Sequence, residues 1–115
     1  MAKDNQAHCS IADALAQLPH QGKRFIPVFE HGSLLVEVYA PRGTDTQGPH
    51  TRDEVYVVAT GTGVFVTPDR RQPFGPNDML FVPAGVEHRF EEFSDDFAVW
   101  VIFYGAEGGE ASSGT

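Results

Sequence analysis

Of the five histidines in this 115-residue chain, two stand where metal chemistry is within reach. His50 is followed four residues later by Glu54, and His88 follows the turn-forming run Pro83-Ala84-Gly85-Val86-Glu87. Imidazole nitrogen and carboxylate oxygen are ligands that Fe, Mn, Ni and Zn accept, and a set of two His and one carboxylate leaves positions open for water or a substrate. Geometry imposes a condition on the first pair. Four residues of straight strand span about 13 Å between Cα atoms. That is too far for both side chains to reach one ion bound about 2.0–2.2 Å from each ligand atom. A helical turn would bring them together, but the run Val55-Tyr56-Val57-Val58 is β-branched and aromatic, which favours a strand. The pair therefore needs a bend through Thr51-Arg52-Asp53 that returns Glu54 beneath His50, and His88 is the candidate third ligand. On spacing alone the alternative, two unrelated histidines at strand starts, stays open. His8, His20 and His31 have no ligand-type partner at useful spacing and read as structural or incidental.

The elements that must position these residues are mostly strands. Ser10 is an N-cap for a short helix with Ile11, Leu15 and Leu18 on one side, and Pro19 ends it. From Phe25 onward the apolar period becomes two. Strands are expected near 24–29, 34–40, 54–60, 63–67, 79–82, 87–92 and 97–104, separated by Gly, Pro and Asp clusters. Frequent turns without intervening helices indicate an all-β antiparallel sandwich or barrel. The chain divides into an N-terminal segment (1–23), the strand-rich body (24–104) and a Gly/Glu/Ser tail (105–115) expected to be flexible. The run Phe97-Ala98-Val99-Trp100-Val101-Ile102-Phe103-Tyr104 is apolar on both pleat faces, so both need cover. A second subunit is the expected outer cover, which makes a homodimer.

Charge narrows the function classes. Eight Lys and Arg stand against sixteen Asp and Glu, for a formal charge of −8, and the basic residues gather nowhere beyond adjacent pairs. A phosphate backbone would be repelled, so nucleic acid is excluded as a partner. The start of the chain lacks an apolar run, and no stretch reads as a membrane span. One cysteine, Cys9, cannot pair internally. A cytoplasmic protein is the expectation. The acidic run Glu91-Glu92-Phe93-Ser94-Asp95-Asp96 reads as a solvated hairpin rather than a cation site.

Two stretches resemble a known family. Gly48-Pro49-His50-Thr51-Arg52-Asp53-Glu54 through Gly61-Thr62-Gly63 is similar to the first cupin motif, a His-x-His pair followed by Glu and then Gly. Asn77 through His88 is similar to the second, with Pro83, Gly85 and His88 in place. The sequence departs from the pattern at three points. One histidine of the first pair is replaced by Gly48 or by Arg52, depending on the alignment, Asn77 stands for a Gly, and Glu92 stands for an Asn. The resemblance implies a double-stranded β-helix, or jelly roll, over residues 25–104, with one divalent ion (Fe, Mn, Ni or Zn) held by His50, Glu54 and His88. Parity with those ligands nominates Tyr56 and Phe90 as pocket residues. Trp100 is either a further inward aromatic or a core or dimer-interface residue, and Arg52 in the bend either holds an anionic substrate or pairs with Asp53 or another surface acid. On the strand from Leu34 to Ala40, Glu37 either faces solvent, the preferred reading, or is a polar group in the pocket. Three functions fit: a metal-dependent enzyme such as an oxygenase acting on a small organic molecule, a non-catalytic small-molecule-binding cupin, and a metal-free isomerase using His88 and Tyr56 as acid and base.

Overall fold

The computed structural model describes residues 7–45 and 48–110. After one helix, α1 (Ile11–Ala16), come eight strands: β1 (Phe25–His31), β2 (Leu34–Tyr39), β3 (Asp53–Thr60), β4 (Gly63–Thr67), β5 (Arg70–Phe74), β6 (Met79–Val82), β7 (Arg89–Glu91) and β8 (Ala98–Tyr104). They form a five-stranded sheet, β1-β2-β8-β3-β6, and a three-stranded sheet, β5-β4-β7, antiparallel throughout. Strands that bury every second residue make one apolar face, and two such faces close on each other. Tyr56, Val58, Val99, Val101 and Phe103 from the large sheet meet Phe65, Phe74 and Phe90 from the small one in a single core. The turn between β3 and β4 depends on Gly61, whose φ is +90°. A Cβ there would stand 2.6 Å from the Phe97 Cα, so only glycine fits both the dihedral and the approach.

The helix forms as its sequence signals. Ser10 Oγ accepts from the Asp13 amide at 3.0 Å, and Ile11, Leu15 and Leu18 pack with Ala14 against Ile26, Val28 and Val38 on the outer face of the large sheet. No helix among the described residues is long and apolar enough to cross a membrane.

Several details differ from the sequence reading. Strand β5 was not expected, because Arg70-Arg71-Gln72-Pro73 lacks an apolar alternation. It is an edge strand paired on one side with β4, where charges and a proline cost little. Strand β7 is three residues long, and His88 precedes it. Trp100 does not face inward. The register pairs it with Val38 and Val57, and it packs on the outer cluster beside α1, because the inward parity of β8 belongs to Val99, Val101 and Phe103. The second apolar face of β8 is therefore partly covered within the chain. Residues 105–110 dock on the bend that precedes β3. The Asp53 carboxylate accepts from the Glu110 amide at 2.8 Å, and Thr51 O accepts from the Gly108 amide at 2.6 Å. Residues 111–115 lie outside the described residues.

Candidate metal centre and its cavity

Thr51 and Arg52 form the bend that the His50–Glu54 spacing requires, and β3 begins at Asp53. Two interactions hold this bend against the turn that carries His88. The Gly85 amide donates to His50 O at 2.7 Å, and the Ala84 amide donates to Asp53 Oδ1 at 2.9 Å. Two backbone amides hold the Asp53 carboxyl below its usual pKa, that of Glu110 first and that of Ala84 second. Two segments far apart in sequence are thus clamped together, and their side chains converge. Glu54 Oε1 lies 3.2 Å from His88 Nε2 and 3.8 Å from His50 Nε2. One ligand atom from each of the three residues lies within 4.8 Å of the others.

The hydrogen-bonding state of this cluster shows what it fits. His88 Nδ1 is 2.9 Å from Val86 O, so in the neutral ring Nδ1 carries the proton and Nε2 presents a lone pair. That lone pair and both oxygens of Glu54 are buried without a hydrogen-bond partner. Acceptors facing one another at this distance repel unless a cation lies between them, and a divalent ion is a cation that takes this donor set. The same cluster also attracts a proton. Burial opposes charge on His88, but the Glu54 carboxylate and the Val86 carbonyl outweigh it, and Asp45 adds to them, so its pKa is raised. His50 moves the other way. Burial and the neighbouring His88 lower its pKa despite Glu54 and Asp45. The His50 ring stands edge-on to Phe103 with centroids 5.0 Å apart, which fixes its direction.

An open cavity of about 760 Å³ meets the cluster at His50. Leu35, Val101 and Phe103 form an apolar wall, with Glu37, Arg24, Arg42 and Arg52 among the polar groups lining it. Glu37 is inward because β2 places Leu35, Glu37 and Tyr39 on one face, opposite Phe103, Val101 and Val99. Burial first, then the Glu54 charge, push its carboxyl up to about 7, against the pull of Arg52. The sequence reading held the pocket as the second of two places for Glu37, because it weighed charge above parity. The acid between two apolar neighbours of equal parity was the available signal.

Residues 35–104 match the family described as Cupin domain. The chain belongs to the cupin family. An uncharacterized protein of Streptomyces coelicolor is 38% identical over 60 residues, covering 52% of this cupin and 57% of that protein, so the match spans little more than half of the relative. The crystal structure of a cupin-2 domain protein from Shewanella frigidimarina superposes with a TM-score of 0.64 at 20% identity, over 84% of this chain and 94% of that one. Structures of DMSP lyases share the fold at a TM-score of 0.60 with 24% identity, over 73% of this chain and 49% of theirs.

Within this cupin the nominated pocket residues separate. Arg52 lines the cavity, donating to Ser33 O with its guanidinium 5.8 Å from the Phe103 ring centroid. Tyr56 and Phe90 are fully buried and do not line the cavity. They support the centre from beneath, Tyr56 5.9 Å from the His88 ring and Phe90 5.0 Å from Tyr56. Gly48, which stands at one of the two places for the missing histidine, lines the cavity, and a Cβ there would meet nothing within 4 Å. Open space replaces a ligand at that point.

Proposed function

We propose that this cupin holds one divalent ion on His50, Glu54 and His88 and binds a small organic molecule in the adjoining cavity, where the ion takes part in its chemical conversion. The observation that carries the reading is the buried, unpartnered set of Glu54 Oε1, Glu54 Oε2 and His88 Nε2. When bound, such an ion supplies Lewis acidity or a site for activating a small co-substrate, with Fe, Mn, Ni and Zn all compatible with two imidazoles and one carboxylate. The protein's own groups do the rest. Leu35, Val101 and Phe103 exclude water from one side of the ligand, Arg52 supplies positive charge near the centre, and Glu37 is poised to exchange a proton near neutral pH. The metal-free isomerase reading is less well supported, because Tyr56, its second acid–base residue, does not reach the cavity. The outer face of the large sheet supports a homodimer. Val55, Val57 and Ile102 are half-buried there, and Met79 and Phe81 are 63% and 47% exposed on the edge strand β6.

Metal analysis of protein purified without chelator tests the reading. The wild type should carry about one divalent ion per chain, and E54Q and H88A should each weaken binding by more than about a hundredfold while circular dichroism keeps the strand signal. A wild type that takes up none of Fe, Mn, Ni or Zn on titration overturns it.

A further inference from the structure

The distribution of positive charge in this acidic chain is uneven. Of eight Lys and Arg residues, Lys23, Arg24, Arg42 and Arg52 line the cavity that meets the metal centre. Of sixteen Asp and Glu, Glu37 alone among the described residues lines it. Elsewhere two arginines are held by carboxylates. Arg71 bonds Glu91 at 2.8 Å and Glu92 at 2.7 Å, and Arg89 bonds Glu91.

Among the described residues neither Arg24 nor Arg42 has such a partner. Arg24 Nε donates to Ala40 O at 2.8 Å, and Arg42 Nη1 donates to the same oxygen at 3.2 Å and to Pro41 O at 3.0 Å. Two guanidinium groups therefore converge on one carbonyl at the cavity wall, and no carboxylate among the described residues lies within ion-pair distance of either. Burial first, and then the neighbouring Arg42 charge, lower the Arg24 pKa. A carbonyl uses few of the donors that two guanidinium forks offer, and the rest are free to take a planar or tetrahedral oxyanion.

The pair also sits at a defined place. Ala40 follows directly on β2, whose Leu35 is in register with Phe103, and Phe103 is in register with Glu54. The arginine pair and the metal centre thus lie at opposite ends of β2, about 17 Å apart along the strand before side-chain reach is taken into account. The Leu35, Val101 and Phe103 wall runs between them.

We infer that Arg24 and Arg42 form an oxyanion subsite of the cavity, so that the molecule bound there has an apolar body and a carboxylate or phosphate head directed away from the His50–Glu54–His88 cluster. This deepens the proposed function and rests on the cavity being the small-molecule site. It does not rest on the metal.

Benzoate, phenyl phosphate and the neutral benzamide carry one apolar ring with three different heads. Their binding to chelator-treated full-length protein by calorimetry, beside a separate metal titration, tests the subsite. Benzoate or phenyl phosphate should bind the wild type at least about tenfold more tightly than benzamide, and R42Q should remove most of that preference. R24Q should do the same if it folds, and R42Q keeps the test decisive if it does not, because Arg42 is exposed. Preference for one of the two anions identifies the head as carboxylate or phosphate. No preference over benzamide, or equal anion affinity in wild type and R42Q, overturns the subsite even if the protein binds metal. Anion preference in a protein that takes up no metal keeps the subsite and removes the metal reading.

Discussion

The two ends of the barrel interior are built from opposite materials. At one end Phe65, Phe74, Phe90 and Phe97 are buried with ring centroids 4.8–5.6 Å apart, and Gly61 lets the backbone close over them. At the other, a buried carboxylate and an imidazole nitrogen lack hydrogen-bond partners and a second carboxyl is held near neutrality beside an open cavity, whose far wall carries two arginines that share a carbonyl. Aromatic packing stabilises without asking anything of a ligand. Unpartnered polar groups cost stability until something binds them. The aromatic end therefore carries the strain of the polar end, and the two should respond differently to substitution.

The largest effect should come from emptying the packed end. F97A removes a fully buried ring in contact with Phe74, Phe90 and Phe93, and should lower unfolding free energy by about 3–5 kcal/mol in urea melts. H50A, at the polar end, should change it by less than about 1 kcal/mol in metal-free protein. Equal losses would break the comparison.

A smaller effect, with a sign set by pH, is expected at Glu37. Its folded pKa of about 7 lies above the unfolded value of 4.5, so the folded state holds the proton more tightly. Stability contributed by that proton is complete below pH 4.5, declines as pH rises through the window, and is lost above about 7. Gln stays neutral throughout. E37Q should match the wild type near pH 4 and exceed it by on the order of 1–2 kcal/mol at pH 8. The cause is the neighbouring Glu54 charge and burial, which Arg52 only partly offsets. A constant difference between the two proteins across that range would show that Glu37 is solvated like an ordinary surface acid.

The smallest effect on folding should come from the outside of the large sheet. F81E adds charge to an exposed edge position and should leave stability within about 0.5 kcal/mol. Sedimentation should nevertheless show a dimeric wild type and a monomeric variant if a second copy covers that face. A monomeric wild type at micromolar concentration removes the dimer.

How far the sequence could be read followed the range of the interactions involved. Period-two alternation, the Ser10 cap and the turn residues act within a few positions, and they placed the helix and seven of the eight strands. Strand β5 escaped because its pairing with β4, rather than its own alternation, makes it a strand. The bend at Thr51-Arg52 was legible because covalent geometry left His50 and Glu54 no other way to meet.

Register and facing are long-range properties, and there the local pattern had two equal solutions. On β8 either parity class is apolar, and only the position of the strand between β2 and β3, with α1 over the outer face, turned Trp100 out and Phe103 in. On β2 a charge suggested solvent for Glu37, until the register opposite Val101 set it in the cavity. Arg24 and Arg42 stand 18 positions apart, and nothing between them in the chain indicates that both reach Ala40 O. By itself the sequence indicated seven of the eight strands, the all-β class and the three residues nominated as ligands, because these depend on the alternation of neighbours and on side-chain chemistry. The tertiary structure decided which faces meet and what the cavity presents to a ligand, because those depend on pairings between segments that the chain brings together only when it closes.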